Sequence, residues 1–147
     1  LEGSTMTLPD PLANVLDVVG VNEYIGWYQG QPSLADAITW DLPQKPIIMS
    51  EWGAEAKAGN HGTIDQRWTE EAQANVYRHQ IPMLRKIPQL RGTTPWILMD
   101  FRSPTRNLPN LQGGFNRKGL ISEEGVKKQA FFVLQKAYED NAVGKPE

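Results

Sequence analysis

The chain has 147 residues, enough for one domain with a sizeable core. With 39% hydrophobic and 22% charged residues it reads as a soluble globular chain, and a net charge of −2 with no basic block points away from nucleic acid and anionic membranes. The lack of cysteine excludes disulfides and thiolate chemistry and leaves the redox compartment open, with the cytoplasm the favoured setting.

The chain opens on Leu1, and residues 1–5 carry no signal-peptide pattern; a processed piece or part of a longer chain is expected. Pro9-Asp10-Pro11 is a helix-entry signal, with Asp10 as cap and Pro11 at the first helical position, ahead of a short helix presenting Leu12, Val15 and Leu16. Residues 18–21 form an apolar run that ends in Asn22-Glu23-Tyr24 and then Ile25-Gly26-Trp27-Tyr28. This is the pattern of a buried strand whose polar and aromatic residues emerge at its carboxyl end. Ser33 is then expected to cap a helix with Leu34, Ala37, Ile38 and Trp40 on one face. After Pro46, Ile47-Ile48-Met49 is a second short apolar run, and Glu51 stands at its exit, followed by Trp52 and Gly53.

Residues 54–63 are a polar, Gly-containing loop with the chemistry of functional loops. Thr69-Glu70-Glu71 opens a long helix expected to run to about Leu90, with Ala72, Val76, Tyr77, Ile81 and Leu84 inward and Pro82 kinking or dividing it. Trp96-Ile97-Leu98-Met99 predicts a third buried strand ending in Asp100-Phe101-Arg102, where Asp100 and Arg102 can pair. Residues 103–115 form a loop rich in Pro, Asn and Gly, and Asn116-Arg117-Lys118-Gly119 lies on its far side. Ser122 with Glu123 and Glu124 predicts the start of a last helix, with Val126, Ala130, Phe131, Val133, Leu134 and Ala137 in one stripe.

Apolar strands alternating with amphipathic helices define an α/β fold with a parallel sheet, and three such strands look like part of a barrel. In a barrel of parallel strands the carboxyl ends face the active site, which makes Glu51 a candidate catalytic carboxylate; a capping or loop glutamate is the plain alternative. Aromatic residues at strand exits make platforms for sugar rings and are equally good core material. Two distant histidines give no metal-ligand constellation, and no phosphate-binding glycine loop occurs, so no metal or cofactor is expected. His79 reads as a mid-helix surface or boundary residue, and His61, in the loop after Glu51, is within chain reach of a sugar hydroxyl.

As a set, Asn22-Glu23-Tyr24-Ile25-Gly26-Trp27-Tyr28, Ser50-Glu51-Trp52-Gly53-Ala54 with Ala58-Gly59-Asn60-His61, and Trp68-Thr69-Glu70-Glu71 resemble the family 2 glycoside hydrolases, and among them the β-glucuronidase branch. The similarity spans nearly all of residues 1–147, which it places as the C-terminal portion of that family's catalytic (β/α)8 TIM barrel, about strands six to eight with their helices. It implies that Glu51 is the nucleophile of a retaining β-glycosidase. A second carboxyl, about 5–5.5 Å away, must then protonate the leaving oxygen. The family's acid/base glutamate also follows an asparagine, but on the fourth strand. Glu23 and Glu51 are separated by room for one strand–helix–strand step only, so the acid/base is expected outside this chain.

Asn116-Arg117-Lys118 resembles the Asn-x-Lys pair with which β-glucuronidases grip the sugar carboxylate; a solvated basic turn is the alternative. Gln112 stands where the branch often has an arginine, which leaves a neutral-sugar, β-galactosidase-like enzyme as the competing reading. Asn22, Tyr24, Trp27, Tyr28, Trp96 and Asp100 are further candidate sugar contacts. The partners so implied are a β-glycoside substrate and either the missing N-terminal barrel portion or further copies of the chain as a homo-oligomer. A non-catalytic partial barrel and a small α/β binding module are the other classes considered.

Overall fold

The structure, a computed structural model, describes residues 5–8 and 11–143; Asp10 and its expected cap lie outside them, as do residues 1–4. Its centre is a parallel three-stranded sheet of β2 (Val19–Asn22), β4 (Ile47–Glu51) and β5 (Leu90–Thr93) in the order β2-β4-β5. Val19 pairs with Ile47, and Ile47 with Leu90. Ile47 and Met49 are fully enclosed because two helices cover that face: α2 (Glu70–Arg85) and α3 (Gln129–Val143), which pack on each other. Trp52, Tyr77, Met83, Leu84, Ala130 and Leu134 complete this core. β1 (Thr5–Thr7) pairs in parallel with β3 (Thr39–Asp41), and β6 (Phe101–Arg102) with β7 (Phe115–Asn116) in antiparallel. The fold is thus α/β with a parallel central sheet, and no closed barrel forms among the described residues. No helix among them is long and apolar enough to cross a membrane.

Thr69 starts α2 as expected, its backbone extended and its hydroxyl accepting from Ala72 N at 3.1 Å. Pro82 does not divide the helix. It lies exposed near the last turn, and Arg78, whose carbonyl loses its partner, is also exposed, so water can satisfy that group. The helix ends at Arg85, short of Leu90, because Leu90 is taken by pairing with β4.

Four other expectations are corrected. The first helix is a single 3-10 turn, Pro11–Asn14, that buries only Ala13. Leu12, Val15 and Leu16 are exposed, and Lys45 Nζ binds the carbonyls of Asn14 and Leu16, stopping the turn before it can form a face. The Ser33 helix, α1, is only Leu34–Ala37, and Ser33 makes no side-chain cap bond. Ile38 is extended and Trp40 belongs to β3, where Thr39 and Trp40 suit a strand better than a helix. The third strand is Leu90–Thr93 rather than residues 96–99. In the latter segment Leu98 and Met99 are exposed, and its backbone bonds instead to residues 118–121. Finally, Ser122 does not begin the last helix. Its hydroxyl accepts from Glu124 N and Val126 N in a turn that Gly125 closes with φ 87°, so α3 starts at Gln129 and Val126 stays exposed.

Candidate active site

Glu51 is the last residue of β4, and the two residues after it set its direction. Trp52 turns into the core against Tyr77, ring centroids 4.9 Å apart. Gly53 has φ 117°, and a Cβ there would lie 2.6 Å from the Tyr77 hydroxyl, so the chain turns this closely behind Glu51 only with glycine. Glu51 is left half-buried.

On the neighbouring strand, a register shift between Val21 and Asn22 sets Asn22 opposite Glu51. Asn22 is exposed, and its Oδ1 accepts from Ser50 Oγ at 2.8 Å. Glu23 N donates to Glu51 O, but the Glu23 side chain turns away into the interior. Its Oε2 accepts from Ile25 N at 2.7 Å and Gln80 Nε2 at 3.4 Å, and Oε1 has no partner. Burial pushes this carboxyl up to about 7, against the pull of the Ile25 N–H. Tyr24 faces the other way. Its hydroxyl donates to Glu51 Oε2 at 2.9 Å; burial, then that hydrogen bond, raises its pKa, so it stays a donor.

A turn at Gly26, φ 85°, brings Tyr28 back beside Tyr24, ring centroids 5.1 Å apart and edge to face. Trp27 does not line the site: it is buried against Trp68, with Arg67 over its ring. A cavity of about 270 Å3 lies along Asn22, Tyr24 and Tyr28, walled otherwise by Met6, Val21 and Trp40 among others.

The far side is built by residues 116–118. Lys118 Nζ donates to the Tyr28 hydroxyl at 2.6 Å and to Glu55 Oε1 at 2.9 Å, and stands 5.2 Å from the Tyr24 ring centre. Asn116 Oδ1 accepts from Lys118 N, which orders the turn. Both residues are buried. Glu55, four positions after Glu51, is the hub: it also accepts from Arg106 Nη1 at 2.6 Å, Gln112 Nε2 at 3.3 Å and Arg117 N at 3.2 Å. Partial burial pushes the Tyr28 hydroxyl up, but hydrogen bonds and charge from Lys118, with Arg106 and Trp27, bring it below its usual value.

Asp100 lies beneath this surface, with its side chain fully enclosed. It does not pair with Arg102, which sits over the Phe115 ring instead. Asp100 accepts from Gly119 N and Lys128 Nζ, both at 2.8 Å, and from Arg117 Nη1 at 3.2 Å. Lys128 Nζ also donates to Ala56 O and Arg117 O, tying the loop after Glu51 to the 116–118 turn. Burial pushes the Asp100 carboxyl up and the Lys128 ammonium down, each held back by the other's charge. Trp96 is half-buried, its backbone N–H donating to Trp52 O and its ring edge-on to Phe101. His61 is exposed and bonds Glu71 at the start of α2, and His79 bonds Asp36 across to α1.

Glu51, Tyr24, Tyr28 and Lys118 are therefore brought into one connected cluster, with Asn22 and Asn116 at its edges, while Asp100 and Trp27 lie behind it. Sequence reading passes over Glu55, Arg106 and Lys128. Their one shared signal is charge without a helical or strand period, which becomes informative only once their partners are placed.

No protein-family model matches the sequence. Among curated proteins, a β-glucuronidase of Streptococcus agalactiae is 33% identical over 139 residues, covering 88% of this chain and 23% of the relative. The human β-glucuronidase is 32% identical over 145 residues, again 88% of this chain and 21% of its own. The solved structure of a Faecalibacterium prausnitzii β-glucuronidase superposes with a TM-score of 0.70 at 25% identity, covering 92% of this chain and 24% of that one. The chain thus spans under a quarter of the length of the relatives it matches. The chain belongs to the family 2 glycoside hydrolases, on their β-glucuronidase branch.

Proposed function

We propose that this chain is the nucleophile-bearing portion of a retaining β-glycosidase that acts on β-glucuronides or closely related uronides. In this reading residues 1–147 are the C-terminal part of the catalytic barrel, and β2, β4 and β5 are its strands six to eight. The observation that carries it is the position of Glu51: a half-buried carboxylate at a strand's carboxyl end, hydrogen-bonded by Tyr24 and linked through Tyr24 and Tyr28 to the cationic turn at Lys118.

Tyr24 holds Glu51 Oε2, and the carboxylate attacks the anomeric carbon from the sugar's face to give a glycosyl-enzyme ester. Protonation of the leaving oxygen comes from a carboxyl elsewhere in the whole protein. Glu23 does not serve, since its side chain is enclosed against Gln80 and Ile25. Asn116 and Lys118 hold the sugar's carboxylate, Tyr28, Asn22 and Trp96 flank the ring, and Asp100 acts from behind by positioning Arg117 and Gly119. The separated chain turns over unactivated glycosides negligibly, because its nucleophile lacks an acid partner.

The test uses the full-length protein carrying this sequence. A 2-fluoro glycosyl fluoride should label the peptide containing Glu51, and Glu51→Gln should abolish hydrolysis of charged and neutral glycosides alike; a label on another residue would sink the reading. Lys118→Ala removes one charged hydrogen bond, worth about 1.5–3 kcal/mol, and so lowers kcat/KM on glucuronides roughly 10- to 150-fold. The matching neutral glycoside should lose far less. Equal losses on both would make Lys118 structural and return the enzyme to the neutral-sugar reading.

A further inference from the structure

We infer that Glu23 is a positioning residue of the site: with Gln80 of α2 it forms a buried brace that fixes residues 23–25 and so keeps the Tyr24 hydroxyl on Glu51. This rests on the glycosidase reading and assigns a role to a carboxyl that the reaction itself does not use.

β2 ends at Asn22, and Ile25, fully enclosed, has no water to satisfy its backbone groups. Side chains do so instead. Ile25 N donates to Glu23 Oε2 at 2.7 Å, and Ile25 O accepts from Gln80 Nε2 at 2.7 Å. Gln80 Nε2 also reaches Glu23 Oε2 at 3.4 Å, which joins the two side chains and the Ile25 backbone into one unit. On its other side the segment is pinned by Glu23 N, which donates to Glu51 O at 2.9 Å. Tyr24 stands between these anchors, and its hydroxyl meets Glu51 Oε2 at 2.9 Å.

The brace holds in its uncharged form. Glu23 Oε1 and Gln80 Oε1 are both buried, and neither has a donor among the described residues. A proton on Glu23 turns one of these two acceptors into a donor. Ionisation instead leaves a buried charge with one short N–H bond. The surrounding elements offer it no cation. Tyr24 and Tyr28 follow it in the chain, Glu51 stands on β4, and β1 and β3 present Met6 and Trp40. On α2, Tyr77 has its hydroxyl beside Gly53, and His79 turns out to Asp36 of α1. Burial, against the pull of the Ile25 N–H, pushes the Glu23 carboxyl up to about 7. Above that pH the carboxylate draws residues 23–25 toward water and loosens Tyr24 from Glu51.

The test uses the full-length protein carrying this chain, with kcat/KM on 2,4-dinitrophenyl β-glucuronide followed against pH. That leaving group needs no proton, so the limb due to the external acid drops out. The rate constant should fall as one group ionises near 7. Glu23→Gln, which cannot ionise and keeps an oxygen for Ile25 N, should remove that fall. Glu23→Leu should lower kcat/KM by about 10- to 150-fold at about pH 6, the worth of one hydrogen bond to a charged group, and Glu23→Gln should recover most of this. A fall that persists in Glu23→Gln overturns the inference. A second arm is independent of turnover: hydrogen exchange of the peptide covering residues 19–28, corrected for the intrinsic effect of pH. Protection that is lost through neutrality in the parent but not in Glu23→Gln upholds the brace even if Glu51 fails as nucleophile. Protection equally indifferent to pH in both removes the brace even if the glycosidase reading stands.

Discussion

Glu23 and Glu51 are close in the sheet yet opposite in fate, and the difference is one of direction. Glu51 keeps a half-open environment and a tyrosine donor, whereas Glu23 is sealed beside Gln80 with one oxygen unpartnered. Its folded value of about 7 lies above the ordinary 4.5, so the folded state holds the proton more tightly than the unfolded state does. Stability from this group is complete below about pH 4.5, is lost as pH rises toward 7, and is flat beyond. The shift corresponds to about 3 kcal/mol at pH 8. Glu23→Gln removes the titration while keeping an oxygen for Ile25 N. The difference in unfolding free energy between variant and parent should therefore move in the variant's favour by roughly that amount between pH 4 and pH 8. A difference independent of pH, in urea melts of the full-length protein, would show that Glu23 is not a buried titrating group.

At the scale of elements, the last helix and the turn before it hold the loop after Glu51 and the 116–118 turn together. Lys128 is wholly enclosed and binds Ala56 O, Asp100 and Arg117 O. Lys128→Met should cost about 3–5 kcal/mol, since it takes one of two cations from a buried carboxylate and the donor from two carbonyls, and adding Asp100→Asn should return part of it. A loss below about 1 kcal/mol in denaturant melts would contradict a clamp of this kind. The strands at 19–22 and 47–51 are legible in the sequence because each is an apolar run with a polar exit. Leu90-Arg91-Gly92-Thr93 is not, having no apolar run; pairing with β4 makes it a strand. Conversely, Trp96 to Met99 look like a strand by composition, but Trp96 N bonds Trp52 O and Ile97 to Met99 pair with residues 118–121. In the site, Glu51, Tyr24 and Lys118 stand out through motif and position. Glu55, Arg106 and Lys128 act through partners far off in sequence, which periodicity does not register.

At the scale of the whole molecule, β2 and β5 each pair on one side only among the described residues, and Leu98, Met99 and Phe101 are exposed beyond them. Parallel edges of this kind are normally covered. The separated 147-residue chain should therefore self-associate or melt without cooperativity and, on the proposed barrel reading, should become soluble and monodisperse when combined with the other strands of such a barrel. Sedimentation velocity gives the answer: a stable monomer with a sharp thermal transition would count against the barrel assignment. The Lys128 clamp also carries a consequence for biosynthesis. The amine that binds Ala56 O follows it by 72 positions, so a nascent chain can display the Glu51 strand and the local bonds of the next loop to Trp68 and Glu70 long before this clamp closes. The cluster around Glu51 is thus completed late in translation, and an interrupted chain carries Glu51 at the end of β4 without the 116–118 turn that completes it.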